Sequence, residues 1–281
     1  MKEEPFRYGE NNRCFGILTL PENTEKAPIV VIFNAGLLHR SEPYRLNVLI
    51  CRGLANAGYI CARIDIAGKG DSPPREGMSF RESVDIDWSF IRQALFTRFG
   101  ERNIILAGLC SGADNGIKLG AQDPLVKGLV LMDAVSPRDD GAARRELLHK
   151  LTSIRKILNA PRSLCSRMLR RISGKPSDEA EQLMLRDLPT ETDQKKCFDN
   201  IVERKGRVLA IFTSHAYPQY NEVGQFTRAL KISGLEDCCE EEFWPSMMHL
   251  YPIEIHRERL VRRIEQWGKE HFETLRDSAR A

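Results

Sequence analysis

The stretch NIILAGLCSGADNG, residues 103–116, decides the fold. A run of β-forming residues leads into Gly108, and a helical pattern begins near Ser111. A nucleophile framed by two glycines, each one residue away from it, is typical of a strand-to-helix turn that holds the central side chain exposed in a strained conformation. Gly108 and Gly112 frame Cys110 in this way, so the stretch predicts Cys110 as a nucleophile.

Two other interpretations of this turn stay open. In one, Cys110 is a buried structural cysteine beside a helix-capping Ser111. In the other, the turn is catalytic but Ser111 is the nucleophile. Ser111 does not fit the frame, because its upstream partner would be Leu109 and not a glycine.

Strands and helices alternate on both sides of the turn. The predicted strands are 14–20, 27–33, 59–66, 104–107, 126–132, 207–213 and 239–244, and the predicted helices are 44–57, 80–99, 111–120, 222–232 and 254–275. This order predicts an α/β fold with a mostly parallel central sheet flanked by helices. In such a sheet, chemistry gathers at the carboxyl ends of the strands.

One segment, 138–203, interrupts the alternation. It has no strand pattern and predicts several helices inserted between two strands, forming a helical cap over the sheet edge. The predicted domains are therefore a core of 1–137 and 204–281 and a cap of 138–203. Within the cap, the stretch 144–175 carries ten lysines or arginines against one acid, Glu146.

Composition excludes several classes of protein. Apolar residues make up 42% and charged residues 29% of 281, as in ordinary globular proteins. No apolar run approaches the roughly 20 residues of a membrane span, and the polar start lacks a secretory core, which predicts a cytoplasmic protein. None of the eight cysteines forms a CxxC pair, so no metal or other cofactor is predicted. The basic stretch has no interleaved aromatic residues, which argues against nucleic-acid binding.

Four motifs together resemble the α/β-hydrolase superfamily, of the serine-aminopeptidase-like or exosortase-associated hydrolase type. They are the glycine-framed turn, ARIDIAGKGDS at 62–72, NAGLLHR at 34–40 and SMMHLY at 246–251. The resemblance covers roughly 13–135 and 205–270. It implies an α/β-hydrolase fold for these ranges, whereas the predicted helical cap resembles no named family. A cysteine in the turn departs from most members and is similar to dienelactone hydrolases and polyhydroxyalkanoate synthases.

The resemblance implies a base and an acid for the thiol. His249 lies after the last strand, where the family places its base. The usual acid position follows the strand ending at Thr213, and the loop there contains no aspartate. Some members keep the acid after the preceding strand, which favours Asp133. Glu222 is the alternative acid, although it lies at the predicted start of a helix, where an acid is favourable anyway.

The resemblance also implies an oxyanion hole and substrate contacts. The N–H of Ser111 and one from Gly36 or Leu37 would stabilise the oxyanion. The candidate substrate contacts are Asn34 and His39, in the loop after the second predicted strand, and His215, after the strand ending at Thr213.

Three functions remain open at this stage. The first is hydrolysis of a small ester or thioester through an acyl-enzyme, with a small-molecule acyl substrate. The second is acyl transfer from coenzyme A or an acyl carrier protein, steered by the basic cap. The third is a non-catalytic binding protein that keeps the fold. A thiolate attacks activated acyl groups but leaves readily, which favours esters and thioesters over amides.

Overall fold

A computed structural model describes residues 1–148, 151 and 186–272. The strands are β1 (Lys2–Tyr8), β2 (Cys14–Leu20), β3 (Ile29–Phe33), β4 (Ile60–Asp65), β5 (Ile104–Leu109), β6 (Val126–Met132), β7 (Arg207–Thr213) and β8 (Cys239–Trp244). The helices are α1 (Leu46–Asn56), α2 (Phe80–Phe99), α3 (Ser111–Gly120), α4 (Glu191–Glu203), α5 (Gln225–Leu230), α6 (Leu235–Cys238) and α7 (Glu254–Phe272). Residues 142–148 are also helical.

All eight strands form one sheet in the order β1-β2-β4-β3-β5-β6-β7-β8. The strands β1 and β2 are antiparallel to their neighbours, and every other neighbouring pair is parallel. The predicted α/β class with a mostly parallel sheet is therefore confirmed. The carboxyl ends of β3 to β8 lie along one edge, which is the edge where the predicted site residues fall.

The sheet is buried on both faces, because successive side chains of a strand point to opposite sides. In β3, Ile29, Val31 and Phe33 join a core shared with α2, α3 and α4. Val30 and Ile32 join the other core, which is shared with α1 and α7. The central strands therefore read as continuous apolar runs.

The helix α4 belongs to the core, although it falls inside the predicted cap. Its apolar side chains Cys197, Phe198 and Ile201 are fully buried with those of α3 and β6. A capping box at Thr190 and Asp193 starts it. The predicted upper boundary of the cap at 203 is thus too late: residues 191–203 cover the sheet.

The strand β1 is absent from the predicted elements. It pairs along its full length with β2 and buries Phe6 and Tyr8. Its acidic residues obscure the strand pattern in the sequence. In the structure they form ion pairs, and Glu3 pairs with Arg52 and Arg63. The hydrogen bond from Arg52 is the largest effect that lowers the pKa of Glu3, to about 2, against the opposing effect of burial.

Candidate active site

The turn between β5 and α3 places Cys110 at the sheet edge in a left-handed conformation, with φ 54° and ψ −120°. Its N–H donates to the carbonyl of Met132 at 2.8 Å, which ties the turn to β6. The flanking glycines are required by space. A Cβ on Gly108 would lie 2.3 Å from the backbone carbon of Gly112, and a Cβ on Gly112 would lie 2.6 Å from the carbonyl oxygen of Phe33.

His249 and Asp133 meet at the same edge. The Nδ1 atom of His249 lies 2.7 Å from Oδ2 of Asp133. An ionised carboxylate only accepts hydrogen bonds, so Nδ1 donates and Nε2 is left for a partner on the opposite side of the ring. Both side chains are largely withdrawn from solvent, with 20% of the His249 side chain and 1% of the Asp133 side chain exposed.

The side chain of Cys110 lies close enough to His249 to affect the pKa of its imidazole. Burial alone would lower the pKa of His249, but hydrogen bonds with Asp133 and Cys110, together with their charges, raise it to about 9. A histidine with this pKa is an imidazolium at neutral pH. The arrangement therefore suits a proton shared between a thiol and an imidazole.

The Asp133 carboxylate is held by Thr213, the last residue of β7. Its Oδ1 accepts from the Thr213 N–H at 2.6 Å and its Oδ2 from the Thr213 hydroxyl at 2.7 Å. Thr213 thus lies directly before the loop where the usual acid would be, and it orients a carboxylate that follows β6.

Arg186 supports the site from outside the predicted set. It donates to the backbone carbonyl of Asp133 at 3.1 Å and to the carboxylate of Asp114 at 2.5 and 3.1 Å. Asp114 is fully buried on α3 and accepts from the N–H of Val135. The arginine therefore joins the helix that carries Ser111 to the residue that holds His249. Its partners are distant from it in the sequence, so no local sequence pattern predicted its role.

The loop after β3 is hydrogen-bonded to the turn that carries Cys110. The N–H of Gly36 donates to the hydroxyl oxygen of Ser111 at 2.7 Å, and Leu37 is mostly exposed beside it. The N–H of Ala35 donates to Glu42 at 2.6 Å. Burial raises the pKa of Glu42 to about 7. The predicted oxyanion donors therefore lie next to Cys110, with one of them bonded to Ser111.

The three predicted substrate contacts have different surroundings. Asn34 is fully buried, and its amide donates to the carbonyl of Leu38 at 2.6 Å, so it supports the loop and does not reach the pocket as predicted. His39 is partly exposed and lies 3.3 Å from Asp71. His215 stacks on the His249 ring, with centroids 4.0 Å apart and planes at 28°.

Glu222, the alternative acid, is engaged elsewhere. Its carboxylate pairs with Arg228 at 2.7 Å and Arg145 at 3.2 Å, and half of its side chain is exposed. The carboxylate on His249 is that of Asp133. Of the two acids that the sequence offered, the structure brings only Asp133 to the imidazole.

One cluster near the site has the residue types of a metal centre. His39, Asp65 and Asp71 bring ligand atoms within 4.8 Å of one another. The guanidinium of Arg40 already contacts both carboxylates, at 2.5 and 2.7 Å. Since this cation occupies the place a metal would take, the cluster is an ion-pair network.

A pocket adjoins the turn on the α2 side. Its cavity volume is about 20 Å³, room for about one water molecule, and it is lined by Gly36, Leu37, Ile66, Lys69, Phe80, Val84, Ser111, Asn115 and Asp187. Residues that supply the predicted oxyanion donors thus form part of its wall, and one of them, Ser111, is next to Cys110 in the sequence. Most of the basic stretch 144–175 lies outside the described residues, and so does the predicted docking of a carrier there.

Comparison with solved structures identifies the fold. An esterase from Pyrococcus furiosus superposes over 96% of this chain and 91% of its own, with a TM-score of 0.61 and 12% identity. The chain has the α/β-hydrolase fold. Est1E from Butyrivibrio proteoclasticus matches with a TM-score of 0.59 and 14% identity over 96% and 99% of the two chains. A haloalkane dehalogenase from Bradyrhizobium elkanii matches with a TM-score of 0.56 and 15% identity, over 100% of this chain and 99% of its own.

The α/β-hydrolase fold was predicted from the sequence and is confirmed. No protein-family model matches the chain, and no curated protein matches it by sequence. The narrower resemblance to serine-aminopeptidase-like or exosortase-associated hydrolases stays a prediction. Since esterases and a dehalogenase share this fold, the reaction has to be argued from the site. Among the described residues, no helix combines the length and the apolar character needed to cross a bilayer.

Proposed function

We propose that this chain hydrolyses small esters or thioesters, with Cys110 as nucleophile, His249 as base and Asp133 as the orienting acid. The observation that carries the proposal is the contact series at one sheet edge. Asp133 holds Nδ1 of His249 at 2.7 Å, and Cys110, at the same sheet edge, lies close enough to raise the pKa of that ring. The solved structures with this fold include esterases, which is consistent with that reaction.

The first half of the reaction forms the acyl-enzyme. His249 takes the thiol proton before the attack, because its raised pKa of about 9 favours the imidazolium. The thiolate sulfur of Cys110 then attacks the carbonyl carbon to form a C–S bond. The carbonyl oxygen becomes an oxyanion, stabilised by the N–H of Ser111 and by that of Gly36 or Leu37. The adduct collapses by breaking the ester C–O bond, and the imidazolium gives its proton to the leaving alkoxide.

The second half releases the acid. His249 takes a proton from water, whose oxygen attacks the acyl carbon. The C–S bond then breaks, and the thiolate of Cys110 is restored beside the imidazolium. Asp133 keeps the ring in one tautomer throughout. The Gly36 N–H must exchange the Ser111 hydroxyl for the oxyanion, so the loop after β3 adjusts during each turnover.

The test is hydrolysis of 4-nitrophenyl acetate with intact-mass detection of the enzyme. The expected result is a burst and an acetyl adduct that Cys110→Ala abolishes and that iodoacetamide blocks. The matched control is Cys239→Ala, because Cys239 is the other cysteine that is only half-buried in the described chain. It should retain the burst.

Two outcomes would overturn the assignment. If Cys110→Ala keeps the burst and Ser111→Ala loses it, the nucleophile is the serine. If neither the wild type nor any variant reacts with activated esters or thioesters, the non-catalytic binding protein predicted as an alternative is favoured. Transfer of the acyl group to an added thiol in place of water would favour the acyltransferase.

A further inference from the structure

Lys69 is a buried cation without a partner, and it faces the pocket beside Cys110. The residue is 7% exposed and lies in the loop after β4. Its ammonium makes no hydrogen bond or ion pair within the described parts of the chain, and its contact is with the Phe80 ring, 5.8 Å from the centroid. Burying an ammonium is costly unless an anion compensates it.

The neighbouring acids do not neutralise Lys69. Asp187 lines the same pocket, but it accepts from Lys118 at 2.6 Å. Glu42 and Cys110 act on Lys69 through their charges without forming an ion pair or a hydrogen bond with it. Burial raises the pKa of Glu42 to about 7, which leaves part of it uncharged at neutral pH. Burial, and then the charge of Lys118, lower the pKa of Lys69 to about 8, so most of it is still charged at pH 7.

We infer that Lys69 binds an anionic group of the substrate, so that the substrates are small esters or thioesters that carry a carboxylate. This inference rests on the proposed function. The pocket places the ammonium on a wall shared with Ser111 and Gly36, so one small molecule can reach both the ammonium and the proposed oxyanion donors. Asn115 adds an amide to the same wall. The cavity of about 20 Å³ has room for a single small polar group, so only the charged end of such a substrate would enter it.

The carboxylate can lie on either side of the scissile bond, and two substrate pairs distinguish the sides. For the acyl side, mono-4-nitrophenyl adipate is compared with 4-nitrophenyl hexanoate. For the leaving-group side, 4-acetoxybenzoate is compared with 4-acetoxybenzamide. Each pair differs in one charge at nearly constant size. The measured quantity is the ratio of kcat/KM within each pair, corrected for hydrolysis without enzyme.

The wild type should prefer the anionic member of at least one pair. In Lys69→Met, which keeps the length and removes the charge, that ratio should fall about tenfold or more, as expected for the loss of a hydrogen bond to a charged group. The control is Lys195→Met, which makes the same change at an exposed position on α4 and should leave the ratio as it is. Equal ratios in wild type and Lys69→Met would overturn the inference.

A binding experiment separates this inference from the proposed reaction. Isothermal titration calorimetry with adipate on the wild type, Lys69→Met and Lys195→Met needs no turnover. Binding to the wild type and Lys195→Met, with loss in Lys69→Met, supports the anion site even if no ester is hydrolysed. Hydrolysis of neutral esters, with adipate bound equally or not at all by all three proteins, keeps the proposed function and refutes the anion site.

Discussion

The turn that carries Cys110 depends on the absence of a side chain at Gly112, and a single methyl group tests this. In Gly112→Ala the new Cβ would lie 2.6 Å from the carbonyl oxygen of Phe33 and 3.2 Å from that of Asn34. Both acceptors are backbone atoms at the end of a central strand, so they cannot turn aside as a side chain would. Overpacking of this kind costs about 1–3 kcal/mol.

The same helix supplies the control. In Gly116→Ala the new Cβ would lie 3.6 Å from Leu106, an ordinary contact, so this variant should gain about 0.5–1 kcal/mol because alanine is the better helix former. Gly112→Ala receives the same helical gain, and the clash must exceed it. We therefore expect the two substitutions to change the free energy of unfolding in opposite directions.

Urea unfolding followed by tryptophan fluorescence measures both variants, and melting temperatures give a second reading at about 2–4 °C for each kcal/mol. Phe33 and Asn34 lead into the loop that carries Gly36, so Gly112→Ala should also lower kcat/KM for 4-nitrophenyl acetate. A Gly112→Ala protein as stable and as active as Gly116→Ala would refute the steric account of the turn.

Three further expectations concern the groups around the imidazole. Because the pKa of His249 is raised to about 9, the imidazolium that protonates the leaving alkoxide should be lost as pH rises through about 9, so kcat/KM should fall there; a pH–rate profile that rises there would contradict the raised pKa. The stability from this shift, complete below pH 6.5, should be lost as pH rises from 6.5 to about 9. Thr213→Val removes a hydroxyl donor from Asp133 and should lower kcat/KM about tenfold, whereas Thr213→Ser should retain it. Arg186→Met leaves the buried Asp114 charge unpaired and should cost about 3–5 kcal/mol in chemical denaturation, most of it recovered by adding Asp114→Asn; equal stability of the single and double variants would contradict the pairing.

Sequence patterns located the central strands well, because β3, β5 and β7 are buried on both faces and read as nearly unbroken apolar runs. The predicted ranges of β2, β6, β7 and β8 coincide with the observed ones. The strand β1 was missed because Glu3 and Glu4 resemble a solvated terminus until their cationic partners are known. The helix α4 was placed in the cap because helical periodicity does not say which surface a helix covers.

The residues of the candidate site likewise fall into those that the sequence predicted and those that it did not. Cys110 and its glycines form a local motif, so the sequence predicted the turn. Asp133 was favoured by its place after a strand, and the structure brings it to His249. Arg186 lies outside the recognised motifs, and Lys69 lies inside the motif at 62–72 without being a candidate site residue. The roles of both depend on which charges surround them after folding, which sequence spacing does not encode.

The supply of the carboxylate from β6 has a consequence for the segment that follows β7. Beyond Thr213 and His215, that segment contributes no group to the orientation of the imidazole. Its exposed residues beyond His215 can therefore change without removing a group from the imidazole. A designer who wants to reshape the rim of the cleft has there a stretch of chain whose one ring contact with the imidazole is made by His215.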